Sequence, residues 1–390
     1  MFETETQNLK LETIQRMKKK LLFLLLILIS VVGYSQNISV SENAKVSILT
    51  CGIGLESYAM YGHTGIRIHD DTNNLDVVYN YGAFDFSTPN FIEKFIKGDL
   101  QYFVTNGSYS DFYHNYHLEN RGIIEQEINL NTKQINELFE QLNHSVYSDE
   151  RFYTYKFIDR NCTTMVVDKI NSTLGFEYIK SNTSNVSYRE LLYPYMSNFY
   201  MKLGIQLIFG AKVDEPATRL FLPFEFKKAI SVTKVNGSNL EQSNKTILEE
   251  KKTDLPLNWL NSIYSLIASL LLLVFLNKKW IIISYFIITG IIGIFFSLVG
   301  LYSFHEEVLW NYNILLFNPL VLIIAWYYWK GNRTKILIFG KIYICILLTY
   351  FLYMLNKIHL EIVWPFIVLH FYWIAKIVLQ HKRARTISAL

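Results

Sequence analysis

The sequence predicts an α+β domain outside the membrane, followed by a bundle of five transmembrane helices. Two observations carry this expectation. Residues up to about Lys252 alternate short apolar runs with polar turns, as in a soluble domain of mixed structure, whereas residues from Leu257 onward are almost continuously apolar. The apolar share of 51% and the aromatic share of 16% are therefore spread unevenly along the 390 residues.

An export signal is predicted at the N-terminus. Lys18, Lys19 and Lys20 precede an apolar run from 21 to 32, and small residues follow up to Ser35. We therefore expect a secretory signal with cleavage near Ser35. The predicted organisation is an N-terminal extension and signal peptide (1–35), a periplasmic domain (36–237), a polar linker (238–256) and a membrane domain (257–390).

The periplasmic domain is predicted to begin with a hairpin. Residues 46–51 and 63–68 alternate as strands do, and a turn cluster from 70 to 74 leads into a further strand at 75–81. A short helix is predicted at 89–98, strands at 100–104 and 123–130, and a helix at 131–146. A last helix should begin at Cys162 and end at Gly175.

Five apolar stretches follow, and most have nearly the ~20 residues that a bilayer-spanning helix needs. They lie at about 258–277, 280–302, 314–329, 336–355 and 360–379. Lysine and arginine collect at 278–279, 330–335 and 382–385, all on one side, which predicts that this side is cytoplasmic. The sequence thus predicts a multi-pass protein of the bacterial inner membrane, with its N-terminal domain in the periplasm and its C-terminus in the cytoplasm.

Charge and composition exclude some classes of partner. The net charge of +4 is small and lies at the membrane edges rather than along a basic stripe, so we expect no nucleic-acid partner. The motifs predict neither a metal nor a cofactor.

Cys162 is the predicted nucleophile. A thiol at a helix start ionises easily, because unpaired backbone N–H groups and the helix dipole favour its negative form. His63, at the start of a strand, is the predicted base, and either Asn80 or Asp85 is expected to orient its imidazole. A tight turn at 71–72 would place Asn80 opposite His63.

The chain order of the pair bears on the fold. His63 precedes Cys162, the reverse of the order in papain, which is compatible with a circularly permuted papain-like domain. Cys51 leaves three alternatives open: a second thiol in the site, a disulfide partner of Cys162, or merely the end of a strand.

Four segments together resemble the Lnb N-terminal periplasmic domain family of Bacteroidota envelope proteins over residues 45–225. The segments are Thr50-Cys51-Gly52, Tyr61 to Arg67, Tyr79 to Phe86 and Asp159 to Thr164. The Asn-Cys turn is also similar to the permuted NlpC/P60 group that includes lecithin:retinol acyltransferase. The resemblance implies a permuted NlpC/P60-like Cys-His domain.

The resemblance also implies lipoprotein N-acylation. An acyl chain would pass from a membrane phospholipid, through a thioester on Cys162, to the α-amino group of a diacylated lipoprotein. Candidate substrate contacts are Arg67, Arg121 and Arg160 for the lipid phosphate, together with Asn161 in the Cys162 turn and His305 in the loop between the second and third spans.

Two other functions stay open at this point. A Cys peptidase or amidase acting on cell-wall peptides would use the same pair of residues. A non-catalytic envelope scaffold that binds lipoproteins would need neither residue.

Overall fold

A computed structural model describes residues 16–20, 39–181, 185–251 and 258–387, and for 383–387 it describes the backbone alone. The predicted signal run and its cleavage point lie outside the described residues. The described residues from Glu42 onward belong to one compact unit.

The N-terminal part is built on an antiparallel sheet of seven strands. Their order across the sheet is β6-β4-β3-β2-β1-β5-β9, so the hairpin β2–β3 and its neighbour β1 lie at the centre. The strands are β1 (Lys45–Cys51), β2 (His63–Asp70), β3 (Leu75–Ala83), β4 (Gln101–Ser108), β5 (Ile123–Ile128), β6 (Phe152–Thr154) and β9 (Glu241–Leu248). A separate pair, β7 (Lys234–Val235) with β8 (Ser238–Asn239), precedes β9.

Helices cover both faces of this sheet. They are α1 (Phe91–Lys97), α2 (Tyr109–Leu118), α3 (Thr132–Tyr147), α4 (Cys162–Leu174), α5 (Tyr188–Leu192), α6 (Phe199–Ile208) and α7 (Pro223–Val232). Successive strand residues point to opposite faces. Val78 accordingly packs in a cluster with Phe112 of α2, while Tyr79 donates a 2.8 Å hydrogen bond to Asn143 of α3.

The predicted strands and helices of this domain are present, and the structure adds others, among them α2 and β9. Helix α2 covers the sheet face that carries His63 and packs on it with an aromatic stripe of Tyr109, Phe112, Tyr113 and Tyr116. Strand β9 lies inside the region predicted to be a linker. That prediction is wrong over 241–248, where the polar residues form an edge strand paired with β5. An edge strand can be polar because much of it faces solvent.

The C-terminal part is helical. Its helices are α8 (Ile263–Leu276), α9 (Lys279–Tyr302), α10 (Leu320–Lys330), α11 (Arg333–Met354) and α12 (Leu360–Ile387). Among the described residues, four segments are long and apolar enough to cross a membrane: 279–302, 306–330, 333–354 and 360–382. The prediction of five spans is not confirmed, because α8 has 14 residues and covers only about 21 Å.

The N-terminal domain packs on one end of this helical bundle. The backbone N–H of Ile158 donates to the buried Glu307 carboxylate at 3.2 Å, and Lys156 donates to the carbonyl of Phe304 at 2.9 Å. On the next loop, Lys357 lies 3.4 Å from Asp214. The basic residues near 278, 330–335 and 382 belong to the other end, where α8 meets α9 and α10 meets α11.

Candidate active site

The turn before α4 is held by Asn161. Its Oδ1 accepts from the backbone N–H groups of Thr163 and Thr164 at 2.9 and 3.0 Å. Its Nδ2 donates to the carbonyls of Phe157 and Phe221 at 2.8 and 2.9 Å. Every polar atom of this side chain therefore has a partner, so Asn161 positions Cys162 and has no group left to bind a substrate.

Replacing Asn161 by alanine tests this positioning. The variant leaves the two N–H groups and the two carbonyls without their side-chain partners, so we expect the domain to lose about 1–2 kcal/mol of stability. Alkylation of Cys162 should slow as well, because the turn no longer fixes the thiol. Thermal unfolding of the purified full chain and the rate of reaction with iodoacetamide measure the two effects. An unchanged unfolding temperature would contradict the assignment.

His63 is placed by the residue before it. Gly62 has φ +81°, and a Cβ there would come within 2.6 Å of the carbonyl oxygen of Cys51. Only glycine allows this close approach, which brings the chain into β2 with the His63 Cα paired with that of Cys51. The imidazole consequently lies at the end of the central strands, where α4 begins.

His63 and Cys162 form a hydrogen-bonded pair. Burial tends to raise the pKa of the Cys162 thiol, but the charge and the hydrogen bond of His63 outweigh it and hold this pKa below its ordinary value of 9.0. The N–H of Thr64 and the hydroxyl of Thr163 also bond to the sulfur. Burial tends to lower the pKa of His63, yet the charge of Cys162 and hydrogen bonds to Cys162 and Asn80 raise it above 6.5. Each partner thus shifts the pKa of the other towards its charged form.

Asn80 is the third member of the cluster. Nε2 of His63 lies 3.1 Å from Oδ1 of Asn80, which leaves Nδ1 of the ring for the sulfur. The predicted register was wrong: Asn80 pairs with Gly65 rather than with His63, because residues 71–73 form a 3-10 turn instead of a tight two-residue one. The side chains still meet, since a shift of two residues keeps them on the same face of the sheet.

Asp85, the alternative to Asn80, does not reach the imidazole. It lies in the exposed loop after β3, and its carboxylate accepts from the backbone N–H and the hydroxyl of Ser87 at 2.8 and 2.7 Å. These two local bonds lower the pKa of Asp85. Its carboxylate therefore stabilises the local turn and does not orient the imidazole of His63.

Cys51 is a free thiol, as is Cys162. The predicted alternative of a disulfide between them is therefore not found. Cys51 is fully buried, and burial raises its pKa to about 12, although a hydrogen bond with Tyr116 lowers it in part. A thiol held neutral inside the core cannot act as a second nucleophile at physiological pH.

Two of the three predicted phosphate-binding arginines are occupied by the protein itself. Arg67 pairs with Asp76 at 2.7 Å and with Glu125 at 3.0 Å. Arg121 is buried and donates to the carbonyl of Gly52 at 2.9 Å and to Glu119 at 2.8 Å. Both guanidinium groups stabilise the sheet face and its loops and are not free to bind a lipid.

Arg160 differs from these two. Its side chain is exposed, its guanidinium carbon lies 5.1 Å from the ring centre of Tyr153, and it comes two residues before Cys162. Within the described parts of the chain it forms no ion pair. It is therefore the one of the three that could meet an anionic group beside the thiol.

His305 belongs to the junction with the helical bundle. Its Nε2 lies 2.8 Å from the carbonyl of Phe95, and its Nδ1 lies 3.7 Å from Glu307. Both ring nitrogens thus have protein partners. The residue connects the loop after α9 to α1, and its ring contacts Phe95 and Glu307 rather than the catalytic pair.

Tyr153 is a site residue that the sequence analysis missed. A Cβ on Gly82, which has φ +98°, would lie 3.6 Å from the Cβ of Cys162 and 4.0 Å from the Tyr153 hydroxyl. That hydroxyl is buried and has no hydrogen-bond partner within the described structure. An orphaned buried hydroxyl costs free energy unless a ligand supplies its partner. In the sequence, only the short distance along the chain between Tyr153 and Cys162 could have indicated this role.

No group of three or more potential metal ligands is found among the described residues. The site brings together the thiol, the imidazole, the amide of Asn80 and the hydrogen-bond donors around them. This arrangement can form and break an acyl-thioester.

Comparison with known proteins finds a similarity for the N-terminal part. Residues 34–193 match the family model described as the Lnb N-terminal periplasmic domain, which covers about two fifths of the chain. No curated protein and no solved structure matches significantly. The predicted permutation of an NlpC/P60-like fold is consequently not confirmed, and what stands is a mixed domain with an antiparallel sheet followed by a helical region with four candidate spans.

Proposed function

We propose that this protein is a lipoprotein N-acyltransferase, and the match of residues 34–193 to the Lnb N-terminal periplasmic domain supports this. It moves an acyl chain from a phospholipid, through a thioester on Cys162, to the α-amino group of a diacylated lipoprotein. The observation that carries the proposal is the hydrogen-bonded pair of Cys162 and His63, oriented by Asn80, in a domain packed on apolar helices. An enzyme fixed to the membrane meets two substrates that both reside there.

The first step forms the thioester. The thiolate of Cys162 attacks the carbonyl carbon of a phospholipid ester, and the carbon–oxygen bond to the glycerol breaks. The imidazolium of His63 gives its proton to the leaving alkoxide, so a lysophospholipid departs with a hydroxyl group. The enzyme is left with an acyl-thioester and a neutral imidazole.

The second step transfers the acyl chain. The free amine of the lipoprotein N-terminus attacks the thioester, and His63 accepts a proton from the nitrogen. The carbon–sulfur bond breaks, an amide forms, and the thiolate–imidazolium pair is restored. The hydrogen bond from His63 Nε2 to Asn80 holds the ring orientation through both steps.

The negative oxygen of each tetrahedral intermediate needs donors. The N–H groups of Thr163 and Thr164 are already bound by Asn161, so the helix start offers the N–H of Cys162. The unpartnered hydroxyl of Tyr153 is a suitable second donor because it faces the same space beside Gly82. Arg160 could bind the lipid phosphate at the exposed edge.

Replacing Tyr153 by phenylalanine tests the second donor. We expect the rate of thioester formation to fall by a factor of about 10²–10³, since removal of one oxyanion donor has that effect elsewhere. Stability should change little, because the hydroxyl has no partner in the protein to lose. Single-turnover acylation of Cys162, followed by mass spectrometry, measures the effect. Wild-type acylation in the variant would exclude Tyr153 from the site.

The proposed location follows from the ends of the helices. The N-terminal domain contacts the loops around 303–312 and 355–361, while the lysines and arginines belong to the opposite end. By the positive-inside rule, the domain faces the periplasm and the C-terminus lies in the cytoplasm of an inner-membrane protein.

A reconstituted reaction tests the function. The purified full chain in phospholipid nanodiscs is given a synthetic diacylated lipopeptide with a free N-terminus, and mass spectrometry follows the triacylated product and the lysophospholipid. The matched control is the same lipopeptide with an acetylated N-terminus, which should give no product. Release of free fatty acid without amide formation would favour a hydrolase. Lipopeptide binding without any covalent product would favour a scaffold.

A further inference from the structure

An exposed apolar surface surrounds α1. It consists of Tyr58, Phe86, Ile92, Phe95 and Ile96, whose exposed fractions run from 44% for Ile96 to 71% for Ile92. We call these residues the apolar α1 surface. A soluble domain rarely leaves such a cluster exposed, and a cluster of this kind usually marks a site of contact with another molecule or with a membrane.

The position of α1 is fixed by contacts with the end of a membrane helix. Phe304 donates its N–H to the carbonyl of Lys97 at 2.7 Å, and the Ser303 hydroxyl donates to the carbonyl of Ile96 at 2.7 Å. His305 adds the 2.8 Å contact with the carbonyl of Phe95. These three residues directly follow α9, so α1 lies at the level where that helix leaves the bilayer.

Helix α9, the end of which contacts α1, also carries exposed apolar residues. Leu298 and Leu301, in the last turns of α9, are 54% and 84% exposed. As part of a candidate span, they are expected to face acyl chains. Lys94 and Lys97 accompany the apolar residues on α1, a combination typical of helices that lie in the lipid headgroup region. We therefore expect the apolar α1 surface to contact a lipid surface.

Aromatic side chains connect this surface with the catalytic thiol. Ring centres of Phe91 and Phe84 are 5.8 Å apart, those of Phe84 and Tyr102 are 5.3 Å apart, and Tyr102 stacks on Tyr155 at 4.4 Å. The ring centre of Tyr102 is also 6.5 Å from that of Tyr153. The Tyr153 hydroxyl and the Cβ of Cys162 both border the space beside Gly82, so this series of rings ends beside Cys162.

We infer that the apolar α1 surface inserts into the adjacent lipid leaflet and guides a phospholipid acyl chain along these rings to Cys162. The part of this inference that concerns transfer of the acyl chain to Cys162 rests on the proposed function. Contact of the apolar α1 surface with lipid does not depend on catalysis. It identifies the donor as a phospholipid taken directly from the leaflet beside α9.

Photo-crosslinking tests the contact. A photoreactive amino acid is placed singly at Ile92 or Ile96 in the Cys162→Ala full chain, which is held in nanodiscs of phosphatidylethanolamine and phosphatidylglycerol. Lipid adducts are counted by mass spectrometry after illumination. Ile338, an exposed apolar residue on α11, is the positive control. Phe176 is the negative control: it is 66% exposed and lies beyond the far end of α4, about 20 Å from Cys162.

We expect lipid adducts at Ile92 and Ile96 within about threefold of Ile338 and at least about tenfold above Phe176. Adducts at Ile92 and Ile96 no more frequent than at Phe176 would overturn the inference. Because the chain used lacks the nucleophile, this outcome is separate from that of the acyl-transfer reaction. Lipid contact together with an inactive wild-type enzyme would leave the surface intact and overturn the proposed function alone.

Discussion

Acyl transfer by the Cys162→Ala variant is expected to fall below detection. Loss of the nucleophile from a covalent mechanism has lowered rates by a factor on the order of 10⁶ in a well-studied hydrolase. Neither other thiol can replace it, because Cys51 is buried and neutral and Cys345 lies on a candidate membrane span. The measurement is the yield of triacylated lipopeptide in the nanodisc reaction, together with the acyl adduct on the intact protein.

The matched control is Cys51→Ala. This variant should keep the acyl adduct and the product, because the Cys51 thiol does not ionise near neutral pH and its sulfur contacts the core. Thermal unfolding shows whether the small cavity left at this position disturbs the fold. Retained transfer in Cys162→Ala, or its loss in a folded Cys51→Ala protein, would contradict the assignment of the nucleophile.

His63→Ala is expected to have the next largest effect. Removal of a general acid and base usually lowers the rate by a factor of about 10²–10⁴. The imidazole also stabilises the thiolate, so its loss leaves only the bonds from Thr64 and Thr163 to oppose the effect of burial on the pKa of the thiol. Both effects act in the same direction at neutral pH.

The pH dependence of alkylation separates the two effects. The thiolate forms as pH rises through the pKa of Cys162, which His63 holds below 9.0. Reaction of the wild-type protein with iodoacetamide should therefore reach its plateau at a lower pH than an ordinary cysteine does. In His63→Ala the inflection should move to higher pH. An inflection at the same pH in both proteins would show that His63 does not ionise the thiol.

Asn80→Ala provides a graded comparison for His63→Ala. The variant keeps the imidazole but removes the 3.1 Å contact that fixes its orientation. We expect a smaller loss of transfer than for His63→Ala and an inflection between those of the wild type and His63→Ala. A loss as large as that of His63→Ala would indicate a direct role for the amide.

The sequence was sufficient for the parts of the fold that depend on local patterns. Alternation predicted the central hairpin, and the Asn-Cys turn with Gly175 correctly predicted both ends of α4. It also predicted the residues that meet at the site, since His63 and Asn80 needed only to share a sheet face. Their register was not predictable, because it depends on the shape of the turn at 71–73.

Features that depend on distant contacts were not predictable. Strand β9 is polar and gains its structure only by pairing with β5, some 120 residues earlier along the chain. The sequence also did not predict which arginines form ion pairs within the protein. Arg67 pairs with Glu125 across the sheet, whereas Arg160 has no such partner among the described residues. Tyr153 becomes a site residue only because the fold brings it together with Gly82 and Cys162, which are distant from one another in sequence.

Strand β9 has a practical consequence for anyone who wishes to study the catalytic half without a membrane. A fragment that stops at residue 237 would leave the outer side of β5 uncovered, and bare strand edges invite association between copies. A fragment that continues through Leu248 keeps this edge paired. Even then, the places on α1 and around Ile158 that normally receive the loop after α9 would face water.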